Sequence, residues 1–186
     1  MPSPYGRFDA GTVLASAVSL LLWIVAPDAA ATGAALIAAG IMQLARLARW
    51  AGERTLSDRL VLVLHVAYAF VPAGFALTGC AALGLIPATA GIHAWTGGAV
   101  GTMTLAVMTR ASLGHTGREL CASAGTQAIY ALVIASALAR ICASLEPLYA
   151  GPLILAAGVM WASAFGGFAL LYGPLLCSPR LGTVPA

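Results

Sequence analysis

Three histidines are the residues best suited to chemistry in this sequence: His65 in LHVAYAF, His93 in GIHAWTGGAVG and His115 in SLGHTGR. An imidazole can hold a proton, bond to a carbonyl or bind a metal, and an ionisable side chain at membrane depth is costly enough to imply a task. His65 lies six residues beyond Arg59 in an apolar run, about 9 Å along a helix at 1.5 Å per residue. His93 opens the following run at its far end, and His115 comes just past the close of that run. A six-coordinate haem takes one ligand on each face, in membrane bundles commonly two histidines at similar depth. By that test His65 with His115 is the better pair within one chain, with the Gly114 loop folded inward, and His93 needs another partner. The structural alternative for each ring is a hydrogen bond to a carbonyl or hydroxyl on a neighbouring helix.

The remaining polar residues are few. Met103 and Met108 carry thioethers that suit haem iron or Cu(I), though methionine more often fills core gaps. Cys80, Cys121, Cys142 and Cys177 form no C-x-x-C or C-x-x-C-H pattern, so neither a zinc knuckle nor a covalently attached haem is expected. They read as small buried apolar residues, with a Cys80–Cys142 pair as the alternative on an oxidising side of the membrane. Arg110 and Arg118 anchor a cytoplasmic corner or neutralise an anion such as a haem propionate. Gly97 and Gly101 have the small-xxx-small spacing that lets another backbone approach, or leaves room for a flat ligand. There is no Ser–His–acid set, no H-E-x-x-H and no phosphate-cradling glycine loop, so hydrolase and phosphoryl-transfer chemistry have nothing to stand on and no catalytic residue is assigned.

The elements that position these side chains follow from composition. Of 186 residues 61% are hydrophobic and 8% charged, with a mean hydropathy of +0.94; soluble domains are about one-quarter charged. The lipid bilayer is therefore the expected solvent. All nine basic residues are arginine, and a scattered net charge of +3 excludes a nucleic-acid surface. Alternating strands for a barrel are absent and helix-length apolar runs are present, so the fold expected is all-α, one polytopic transmembrane bundle over 1–186. Its spans are expected at about 10–26, 31–48, 60–85, 90–110, 120–143 and 149–173. No small-x-small cleavage site precedes Pro27, so the first run reads as a retained helix. With both termini inside, Arg7, Arg46, Arg49, Arg54, Arg59, Arg110, Arg118 and Arg180 fall at cytoplasmic ends and Arg140 alone outside, as the positive-inside rule asks of a bacterial inner-membrane protein. Pro72 with Gly74 predicts a kink beyond His65.

Two blocks, LHVAYAFVPAG and HAWTGGAVGTMTLAVMTRASLGHTGREL, together with QLARLARW and YGPLLCSPRLG, resemble the C-terminal half of the NnrS family. These are polytopic bacterial membrane proteins of denitrification and nitric-oxide stress that contain haem and copper. The resemblance implies haem b, with copper as a second metal, and nitric oxide as a ligand. It marks His65 and Tyr68 on the third helix, His93 on the fourth, and Arg110, Gly114, His115, Thr116, Gly117 and Arg118 at the fourth helix's cytoplasmic exit. Family members are about twice as long, near twelve helices, so a homodimer or a separate N-terminal-half partner is expected to supply the rest. The competing reading is a non-enzymatic membrane subunit whose histidines only bond helices and whose small-residue face docks a partner. A transporter or channel ranks last, for want of an intramembrane carboxylate.

Overall fold

In hydrocarbon every backbone N–H and C=O must find its partner within the chain, and the computed structural model, which describes residues 4–180, does this with helices alone. Among the described residues there is no strand. Five segments are long and apolar enough to cross a membrane: α1 (Arg7–Val25), α2 (Ala30–Ala48), α3 (Arg59–Ala82), α6 (Ala124–Leu145) and α7 (Ala150–Leu176), the last extended by a 3-10 turn over Pro147–Tyr149. The remaining rod is composite. A short α4 (Thr89–His93) runs into eight π-helical residues, Ala94–Gly101, and then α5 (Thr102–His115). The junctions stay right-handed helical, with φ −69° and ψ −31° at His93 and φ −60° and ψ −46° at Gly101, so the rod spans about 40 Å.

The expected spans thus correspond to six observed rods, with one informative difference. The fourth was expected to stop near residue 110, with Gly114 and Gly117 turning the chain; instead the helix continues through Gly114 to His115. The turn is made at Gly117, whose φ of +71° is open to glycine at no steric cost. Polar side chains extend the helix by bonding inward. Thr109 Oγ1 shares a hydrogen bond with the Tyr130 hydroxyl of α6, and Thr116 Oγ1 donates to the Ser112 carbonyl at 2.6 Å.

The first helix is inside-out relative to a soluble one. Asp9, Thr12, Ser16 and Ser19 are its buried residues, and their spacing places them on one stripe. Leu14, Leu21, Ile24 and Val25 face outward, where lipid is as apolar as they are. The serine and threonine hydroxyls donate to carbonyls a turn earlier at 2.8 to 2.9 Å, so the stripe enters the interior without orphaned donors. Glycines bring α2 and α3 together: a Cβ at Gly79 would stand 2.9 Å from the Gly33 carbonyl oxygen, and one at Gly40 would stand 3.2 Å from that of Pro72.

Helix α3 runs unbroken through Pro72, and the Pro72–Gly74 region is a seat. A Cβ at Gly74 would overlap the Trp95 indole of the π-helical stretch, whose Nε1 donates to the Val71 carbonyl at 3.1 Å. Gly91 and Gly98 give the same rod its clearance over Thr78 and the Phe70 ring. The main core joins α3, α5, α6 and α7 through Leu60, Leu105, Val133, Ala164 and Phe168. Ser136 Oγ donating to the Ala157 carbonyl at 2.8 Å and a Thr126–Tyr172 hydroxyl pair at 2.7 Å tie α6 to α7.

Candidate functional site

Two polar places stand out, at opposite ends of the bundle. At the end carrying the α1 N-terminus, Arg46 of α2 donates from Nε to Asp9 Oδ1 at 3.2 Å and from Nη1 to the Tyr68 hydroxyl of α3 at 3.1 Å. Tyr68 donates in turn to Gln43 Oε1, and Gln43 Nε2 donates to Ser16 Oγ at 2.8 Å. Trp50 covers the cluster, 4.5 Å from the Tyr68 ring and with the Arg46 guanidinium 5.3 Å from its own centroid. Asp9 is 4% exposed and completes its bonding with the Gly6 N–H at 3.0 Å. The side chains of Asp9, Arg46, Tyr68, Gln43 and Ser16 thus bond one to the next, and mutual satisfaction of this kind is the condition for a buried polar network to stabilise rather than cost.

Tyr68, a residue the sequence nominated, therefore belongs to a three-helix clasp. Neighbouring His65 has its Nδ1 3.1 Å from the Val61 carbonyl and its ring edge-on to Trp50 at 6.2 Å. A Cβ at Gly52 would stand 2.8 Å from the His65 ring, so the connecting turn after α2 closes over this histidine. The small cavity beside it is lined by Leu47, Gly52, Leu56, Leu62 and Val66 and does not include His115. His115 is the last residue of α5 and is exposed. The structure does not bring the expected His65–His115 pair to one cavity within the chain, because His65 turns toward α2 while the extended α5 carries His115 outward. Arg110 is exposed and Arg118 half-buried, with its Nη1 buried and unpartnered.

The other place is a groove between the composite rod, α6 and α7, with a volume of about 580 Å³. His93 stands at one end. Below it Gly97 and Gly101, one and two turns along the same face, present no side chains, and Ala137, Ala157 and Gly158 keep the facing walls low. A Cβ at Gly101 would meet the Trp161 ring at 2.6 Å, and Trp161 lies 4.5 Å from Phe165, which makes an aromatic wall. Gly101 thus admits a ring from α7, while a Cβ at Gly97 would stand 3.8 Å from Ala137 of α6. The polar groups of the lining are Thr96, Thr104, Ser136, His93 and Arg140. Neither methionine named from sequence lines it.

Sequence reasoning missed Arg140, which it used only for charge sidedness, and missed Asp9, Arg46 and Gln43 as one network. A glutamine in the middle of the apolar run IMQLARLA was the available signal, since a lone amide in hydrocarbon must have a partner. All four cysteines are unpaired and Cys121, Cys142 and Cys177 are exposed. This corrects the expectation of buried thiols and the alternative of a Cys80–Cys142 bridge; the three exposed thiols lie in a connection or at helix ends. Among the described residues no group of three or more His, Cys, Asp or Glu side chains converges.

The family model described as NnrS protein matches residues 1–180. No curated protein and no solved structure matches the chain.

Proposed function

Since the chain belongs to the NnrS family, we propose that it is a haem-bearing membrane protein of the nitric-oxide and nitrosative-stress response, working in denitrifying metabolism. The observation that carries the site is the groove at His93. An imidazole heads a cavity lined by Gly97 and Gly101 and walled by Trp161 and Phe165, a donor set and shape that fit a flat apolar ring. His93 would supply the nitrogen to iron, and the apolar walls would hold the macrocycle and exclude water. Haem bound there supplies an iron that binds nitric oxide or exchanges an electron. Copper has no seat of converging donors among the described residues.

The same reading puts the chain in the bacterial inner membrane with both termini in the cytoplasm. A second copy or a separate partner would then complete a body of twelve crossings. The subunit reading keeps one specific observation in its favour: His65 and Tyr68 are already engaged within the fold, as structural residues would be.

The deciding experiment is the visible spectrum, oxidised and dithionite-reduced, of detergent-purified protein supplied with haem, beside His65→Ala, His93→Ala and His115→Ala. A Soret and α-band lost in His93→Ala and kept in the other two is expected. A folded wild-type protein with a featureless spectrum refutes the reading and leaves the non-enzymatic subunit.

A further inference from the structure

The groove has a charge imbalance. Its walls are apolar, yet two basic side chains, His93 from α4 and Arg140 from α6, face it together, and no carboxylate is among its lining residues. Among the described residues no carboxylate forms an ion pair with Arg140. A second, shallower cavity shares His93, Arg140 and Ile154 with the groove and continues past Thr89, Ser144 and Pro147, where α6 ends and the connection to α7 begins. Arg140 therefore stands where the apolar groove runs out toward the membrane surface. A guanidinium half sunk in such a wall is costly by itself and favourable when an anion completes it.

The ligand this arrangement fits is an amphiphile with an apolar body along Gly97, Gly101 and Ala157 and an anionic head at Arg140. We propose that Arg140 is the anchor for a haem propionate, a role that rests on the haem reading above. The planar fork of arginine pairs with a carboxylate through two parallel hydrogen bonds. The assignment moves the anchor from Arg110 and Arg118 to the opposite end of the composite rod. Arg110 lies in α5 and Arg118 beyond it, on the far side of the π-helical stretch from His93.

The test compares two probes, haem and its dimethyl ester, which keeps the ring and iron and lacks both carboxylates. Each is loaded into wild type, Arg140→Gln, Arg140→Lys and Arg110→Gln, and its transfer to excess apomyoglobin is followed at the Soret band, with helix content measured by circular dichroism to confirm folding. Wild type is expected to release the ester about ten- to one-hundredfold faster than haem, the worth of a charge-assisted hydrogen bond. Arg140→Gln should erase that difference, Arg140→Lys restore part of it, and Arg110→Gln leave it intact. Equal release of both probes by wild type, or an undiminished difference in Arg140→Gln, overturns the assignment while the haem reading stands. Loss of co-purifying anionic phospholipid from Arg140→Gln with unchanged haem release overturns it in favour of a lipid seat. A folded wild type that takes up neither probe removes the haem reading and the anchor together.

Discussion

Replacing Gly74 by alanine separates helix propensity from packing, because the two predict opposite signs. In the interior of a helix, alanine is favoured over glycine by about 1 kcal/mol. At Gly74 the added methyl would occupy the space of the Trp95 ring, and that indole is fixed by its bond to the Val71 carbonyl at 3.1 Å and by edge-on contacts with Trp23 at 5.8 Å and Phe75 at 5.1 Å. Overpacking of this kind costs about 1–3 kcal/mol, and displacing the indole forfeits a hydrogen bond of about 1 kcal/mol. The sum less the propensity gain is a net loss of about 2 kcal/mol, roughly a thirtyfold fall in the folded-to-unfolded ratio. Unfolding of the detergent-solubilised protein in a dodecyl sulfate titration, followed by circular dichroism, measures it. In a Trp95→Ala background the obstacle is gone and Gly74→Ala should turn neutral or stabilising. Stabilisation by Gly74→Ala in the wild-type background would refute the claim that the Pro72–Gly74 region exists to seat Trp95.

Two further expectations concern the clasp and the topology. Tyr68→Phe takes the donor from Gln43 Oε1 and the acceptor from Arg46 Nη1, and should cost about 1–3 kcal/mol in the same titration; an unmoved midpoint would show that the network contributes nothing. With both termini inside, exposed Cys121 and Cys177 fall on the cytoplasmic side and Cys142 on the other. In intact spheroplasts a membrane-impermeant maleimide should label Cys142 and reach the other two only after permeabilisation, and the reverse pattern inverts the topology.

The helices were legible in the sequence because hydrocarbon imposes length and polarity on every span; α2, expected at 31–48 and found at Ala30–Ala48, differs by a single residue. What was not legible depends on contacts distant along the chain. The polar run around Gly114 looks like a loop until Thr109 is seen bonding to Tyr130, twenty-one residues away. The π-helical stretch, AWTGGAVG, has no local signature. Its contacts are with α3 through Trp95 and Gly98, with α6 through Gly97 and with α7 through Gly101. Of the nominated histidines, His93 alone lines the groove, and the arginine beside it comes from a helix that sequence spacing could not place opposite. Arg46 and Asp9 were visible only as charges at span ends, and their pairing across thirty-seven residues is a product of packing α1 on α2.

The eight residues Ala94–Gly101 also act as a phase element. A π-helical segment carries about one residue more than the α-helix it interrupts, and each residue of an α-helix turns the chain by about 100° and lifts it 1.5 Å. Everything on the Thr89–His93 side is therefore rotated, relative to α5, by an amount that one deletion would cancel. Removing a residue such as Val100, which is exposed, would let the segment relax to an ordinary helix and swing His93 about a quarter-turn away from Arg140, with no polar group altered. The azimuth of the candidate ligand is thus written into the residue count of this rod, and length changes that the surface connections can absorb would here disassemble the groove.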